Sequence, residues 1–142
     1  MSFTRPIRLE NRYGLEVVWV EVPLEFNGSR GAVEQTFIFD TGCQLTTVSQ
    51  DVALRLGLPP GGRAVNMRGL TGGGTGRLVD VRFRFPQTVS GTPGLEVSST
   101  WVVLPGVTRR ALLGFMEVHR HFQIRALEFD LYFIPWTSAR GR

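Results

Sequence analysis

The sequence has no lysine; all 16 of its basic residues are arginine. This excludes a P-loop lysine, a pyridoxal Schiff base and a lysyl nucleophile. A single cysteine, Cys43, excludes an internal disulfide and any multi-cysteine zinc site. Only two histidines are present, His119 and His121. A helix would point them apart, and on a strand they would lack a third ligand, so no metal is expected. No apolar run approaches the ~20 residues of a membrane helix; Val17-Val18-Trp19-Val20 ends at Glu21. The first residues have no apolar signal core, so the expectation is a cytoplasmic protein without a membrane partner. Net charge is only +4 and the arginines are scattered, which gives no basic patch for nucleic acid.

What remains is ordinary globular composition: 142 residues, 42% hydrophobic and 20% charged, with 17 Gly and 8 Pro. That size accommodates one core, so residues 1–142 are read as a single domain with a frayed tail at 137–142. Strand signals dominate. Val17 to Val22 reads as a strand interrupted by Pro23, Asn27 to Gly31 as a hairpin turn, and Ala32 to Phe39 as the returning strand. Ser49 is expected to cap a short helix over Gln50–Leu56, closed by Gly57. Two strands, Ala64–Leu70 and Leu78–Phe85, flank the glycine-rich turn Thr71 to Gly76. Leu95–Leu104, Ala111–Gly114 and Leu127–Ile134 read as further strands, with a short helix within Phe115–His121. The fold class is therefore all-β with one or two short helices.

The chemistry concentrates in Phe37-Ile38-Phe39-Asp40-Thr41-Gly42. A carboxylate here ends an apolar strand and enters a tight turn, a costly place for a charge unless hydrogen bonds or a neighbour compensate it. Downstream come the glycine-rich hairpin, the triplet Leu112-Leu113-Gly114 followed by a short helix, and the terminal apolar strand Leu131-Tyr132-Phe133-Ile134. In this order the motifs resemble the retropepsin-like (retroviral-type) aspartic proteases, single-lobed form, over roughly Val17 to Ile134.

The resemblance implies an acid-protease barrel with one Asp-Thr-Gly per chain and a flap at about 69–78. It implies Asp40, Thr41 and Gly42 as the catalytic motif. Gly72, Gly73, Gly74, Leu112, Leu113 and Gly114 would meet a peptide or protein substrate. Hydrolysis in this group uses two aspartates around one water. The chain has only four Asp residues, and only Asp40 is followed by Thr-Gly, so a homodimer would supply the second. Leu131–Ile134 and Ile7–Leu15 are apolar enough to pair at its interface. No metal or organic cofactor is implied. The competing readings are a protease-like fold without useful proteolysis, serving as a peptide-binding dimerisation module, and an arginine-based RNA binder. Arg82 and Arg84 alternate with Phe83 and Phe85, which an amphipathic strand explains more simply than base stacking. Asp40 could also serve only as a turn residue that binds the next backbone amides.

Overall fold

Val22, Leu24 and Phe26 alternate with polar or kinked positions, and so do Val79, Val81 and Phe83; all six are buried. This period of two builds strands with one dry face. The computed structural model describes residues 2–28, 31–69 and 72–136. Among them twelve strands and two helices run in chain order: β1 (Phe3–Pro6), β2 (Arg8–Arg12), β3 (Leu15–Trp19), β4 (Glu21–Gly28), β5 (Gly31–Asp40), β6 (Thr47–Ser49), α1 (Gln50–Leu56), β7 (Arg63–Gly69), β8 (Gly72–Arg84), β9 (Glu96–Leu104), β10 (Ala111–Gly114), α2 (Phe115–His119), β11 (Phe122–Leu127) and β12 (Asp130–Pro135). No helix of the described residues is long and apolar enough to cross a membrane.

Seven strands form one sheet in the order β4-β5-β10-β6-β9-β8-β7. It curls until β8 meets β4 at one pair, Glu25↔Arg84, closing the barrel at a single point. The side chains of that pair also meet, Arg84 Nη1 lying 3.4 Å from Glu25 Oε1. Trp101 is completely buried at the centre, with the rings of Phe83, Phe37 and Phe26 at 5.1, 5.3 and 5.6 Å. Each such ring contributes about 1.5–3 kcal/mol by burial, and edge-on pairing adds roughly 0.5–1.5 kcal/mol. A smaller sheet, β1-β12-β11, packs Phe3 against Phe133 at 4.4 Å.

Several local expectations needed revision. β4 runs straight through Pro23, which pairs with Thr36 of β5. Proline is tolerated because β4 has a neighbour on its other side only at Glu25. The glycine run Gly72–Gly76 is not a turn: it is strand, paired with Val65–Gly69. Gly76 fits there because a Cβ would come within 2.9 Å of Val102 Cγ1. The turn itself, with Leu70 and Thr71 of the expected flap, lies outside the described residues, as do Ser29, Arg30 and the tail at 137–142. The expected last strand is a hairpin, β11–β12, turning at Glu128 with φ of 52°. Its partners are within the chain: β12 is central between β1 and β11. The segment expected to pair across an interface, Ile7–Leu15, holds β2 of a separate two-stranded ribbon, β2–β3. α1 and its left-handed Gly57 cap, φ 70°, are as expected, but Ser49 makes no side-chain cap. Its hydroxyl binds the Asp51 carboxylate and accepts from Arg110 N at 3.0 Å. The Ser49 hydroxyl, and to a smaller extent the Arg109 amide, hold the Asp51 carboxyl below the usual carboxylate range.

Candidate active site

β5 delivers Asp40 from the core outward: Phe37 is fully buried, whereas Ile38, Phe39 and Asp40 are half-buried and Thr41 and Gly42 exposed. The chain then turns tightly, Asp40 O accepting from Cys43 N at 3.1 Å. Asp40 Oδ1 accepts from Gly42 N at 2.9 Å, which aims the carboxylate. A side chain on residue 42 would start 3.3 Å from that same oxygen. The turn-forming role of Asp40 is thus real, and it leaves the group accessible to solvent. Among the described residues no arginine forms an ion pair with it.

β10 is what holds this turn. It inserts between β5 and β6, parallel to β5 and antiparallel to β6, and sets Gly114 opposite Asp40. Gly114 N donates to the buried Thr46 Oγ1 at 3.0 Å. A Cβ on Gly114 would lie 2.5 Å from Leu45 C and 2.6 Å from Thr46 N, so only glycine permits this approach. α2 follows at once, and its first amides need acceptors. Phe115 N donates to Cys43 O at 2.8 Å and Met116 N to Gln44 O at 3.2 Å. The aspartate loop therefore caps the helix, and the helix fixes the loop. One turn on, the buried Glu117 accepts from Trp101 Nε1 at 2.5 Å and ties α2 to the aromatic core. Cys43 is half-buried and bonds locally, Sγ donating to Leu45 O at 2.9 Å.

The expected site residues divide into three groups. Asp40, Thr41 and Leu112 line one open cavity of about 910 Å³. Leu113 is fully buried and Gly114 is pressed onto the Gln44–Thr46 backbone, so both sit behind the turn rather than in the cavity. Gly74 is strand with open space around it, and among the described residues β7 and β8 contribute nothing to the cavity wall. That wall includes Leu15, Val17 and Trp19 of β3, Phe115 of α2 and Ile124 and Leu131 of the terminal sheet. Sequence reasoning missed the β3 and Ile124 contributions. The signal was Tyr13-Gly14, a two-residue turn with φ of 54° and 77°, as a tight hairpin requires.

The two histidines take part in ring contacts: His119 stacks on Phe115 at 5.2 Å and His121 meets Phe85 at 6.1 Å. Burial pushes the His121 imidazole below its ordinary value, opposed by Glu117 and reinforced by Arg120. Among the described residues no three His, Cys, Asp or Glu side chains converge as metal ligands would.

Comparison with known proteins agrees with this architecture. Residues 22–116 match the family described as aspartyl protease. No curated protein matches the sequence. A retropepsin-like aspartic protease from Rickettsia conorii superimposes with a TM-score of 0.62 at 17% identity, covering 94% of this chain and 90% of that one. The retroviral protease-like domain of Ddi1 from Leishmania major aligns with a TM-score of 0.46 at 19% identity, covering 84% of this chain and 96% of the other. The matched stretch contains the Asp40 turn, β10 and the strands that hold them, and on that ground the chain belongs to the aspartyl protease family and has the retropepsin-like fold.

Proposed function

We propose that the protein is a homodimeric aspartic endopeptidase. The observation that carries this reading is the Asp40 turn: a carboxylate aimed by Gly42 N, braced from behind by Gly114 and Thr46, and open to a cavity in front. A symmetric partner would bring its own Asp40 beside the first, with one water between them. At ~3 Å and an effective dielectric of ~20 two carboxylates repel by about 5–6 kcal/mol, or about 4 pKa units. One therefore stays protonated, as is well known for aspartic-protease dyads. The ionised Asp40 takes a proton from the water as it attacks the scissile carbonyl carbon. The protonated Asp40 donates to the carbonyl oxygen, and the amine leaves with a proton as the tetrahedral adduct collapses.

Thr41, exposed beside Asp40 in the single chain, would brace the two turns across the axis. Gly42 would keep space beside the carboxylates. Leu112 supplies an apolar wall, while Leu113 and Gly114 act through the turn they support. Gly72, Gly73 and Gly74 would cover an extended peptide by strand addition, since they offer backbone and no side chains. Cleavage of a peptide library from acid to neutral pH, beside an Asp40→Asn control, tests the reading. A bell-shaped profile that vanishes in the variant is expected. A dimer that binds peptides without cutting them would assign the fold to binding instead, and cleavage by Asp40→Asn at the wild-type rate would remove Asp40 from the chemistry.

A further inference from the structure

The β2–β3 ribbon precedes the stretch that the family match covers. Among the described residues its strands form sheet pairing only with each other. A lone two-stranded ribbon is marginal in water, yet this one carries apolar side chains on both faces. The register places Leu15, Val17 and Trp19 on one face and Leu9 and Val18 on the other. Leu9, Leu15 and Val18 are 63%, 68% and 67% exposed, and Tyr13 at the tip is fully exposed. Single exposed apolar residues are ordinary, but four on so short a ribbon, spread over both faces and the tip, are more than isolated cases.

The ribbon is nevertheless well shaped. Its turn is of the type that matches strand twist. Arg12 lies 4.2 Å over the Trp19 ring and pairs with Glu10 at 3.0 Å. At the root, Trp19 Nε1 donates to Glu21 Oε1 at 3.2 Å, Arg8 pairs with the same carboxylate, and Ile7 N donates to Phe129 O at 2.7 Å. The ribbon is thus held over the cavity that begins at Asp40 and Thr41 and ends between β3 and the terminal sheet.

We propose that the end of this cavity between β3 and the terminal sheet, away from the Asp40 carboxylate, receives a second copy of the same chain, and that β2–β3 is a clasp which each protomer lays over the other. The inference rests on the shared-dyad reading. If two Asp40 carboxylates hold one water, the two-fold axis passes beside Asp40. Isologous pairing then buries on each protomer the surface next to that axis, and this cavity opens there. At that end the walls are apolar side chains, among them Leu15, Val17, Ile124 and Leu131. They suit an apolar protein surface better than an extended peptide, whose backbone needs a strand edge.

The test uses the full chain with a benzophenone amino acid at position 13, mixed as isotope-labelled and unlabelled copies. Irradiation should yield heavy–light cross-links into residues 115–131 of the other copy. In parallel, Leu15→Glu should raise the dimer dissociation constant at least tenfold by sedimentation, with far-UV circular dichroism unchanged because residue 15 is exposed. Three results would overturn the clasp. A wild-type chain that is monomeric at every concentration sinks it together with the shared dyad. A wild-type dimer with only intrachain cross-links and an unaltered constant removes the clasp and leaves the dyad standing. An unaltered constant with a raised KM assigns the ribbon to substrate.

Discussion

The turn after β5 and the ribbon before β4 are opposite extremes of packing. At Gly114 an added methyl carbon would sit 2.5 Å from backbone, whereas at Gly14 it would find nothing within 4 Å. Thr46 is buried and hydrogen-bonded, but Tyr13 touches mostly solvent. On the shared-dyad and clasp proposals, the difference separates two tasks. A carboxylate that must meet another to within a fraction of an ångström needs supports with no alternative arrangement. A surface that must receive another molecule has to be left unfinished.

The largest effect should come where the packed side meets chemistry. Asp40→Asn keeps an acceptor for Gly42 N, so the fold should survive while peptide hydrolysis falls by roughly 10³-fold or more. Circular dichroism and a cleavage assay on the same preparation check both halves. Gly114→Ala strikes the support itself. Because the obstacle is backbone, we expect a loss of about 3 kcal/mol in urea unfolding, with activity falling even in the folded fraction. Thr46→Val leaves the Gly114 amide buried without its acceptor and should cost about 2 kcal/mol by the same measurement. The ribbon should behave differently. Gly14→Ala introduces only backbone strain at φ 77°, about 1 kcal/mol, and should leave the thermal midpoint of the main barrel almost unmoved. Equal losses for Gly14→Ala and Gly114→Ala would erase the distinction between the regions.

A pH titration gives the smallest effect. His121 is held below its ordinary value by burial, so the unfolded chain binds its proton first. Its stabilising contribution is full above about pH 6.5 and fades as pH falls through the lowered folded value. His121→Gln should flatten that part of the stability curve; an unchanged slope would place the acid sensitivity elsewhere.

Legibility in the sequence followed the same division. Asp40-Thr41-Gly42, Leu112-Leu113-Gly114 and the helix ending at Gly57 are local patterns whose physics needs few neighbours, and they led to the family and to the turn. Burial depends on the whole fold, so the retreat of Leu113 and Gly114 behind the turn was hidden. The glycine run looked like a loop because glycine has low strand propensity, yet a neighbour at β9 and a partner strand override that preference. Pro23 misled for a related reason, since only topology says which amides a strand can spare. Glu128 adopts a positive φ without being glycine, and no residue type announced the turn before β12. Both segments of the ribbon were legible, Val17 onward as strand and Ile7–Leu15 as apolar, but their pairing through the Tyr13-Gly14 turn was not.

The insertion of β10 also governs time. Gly114 and Thr46, bonded to each other, stand 68 residues apart. Contacts of such long range form late, after the loop between them has closed. The strand that positions Asp40 is made early in synthesis, but its brace is not. A nascent chain would therefore carry the Asp-Thr-Gly motif for most of its growth without a working turn. The turn that aims Asp40 would be complete only after residue 114 has emerged and threaded between β5 and β6.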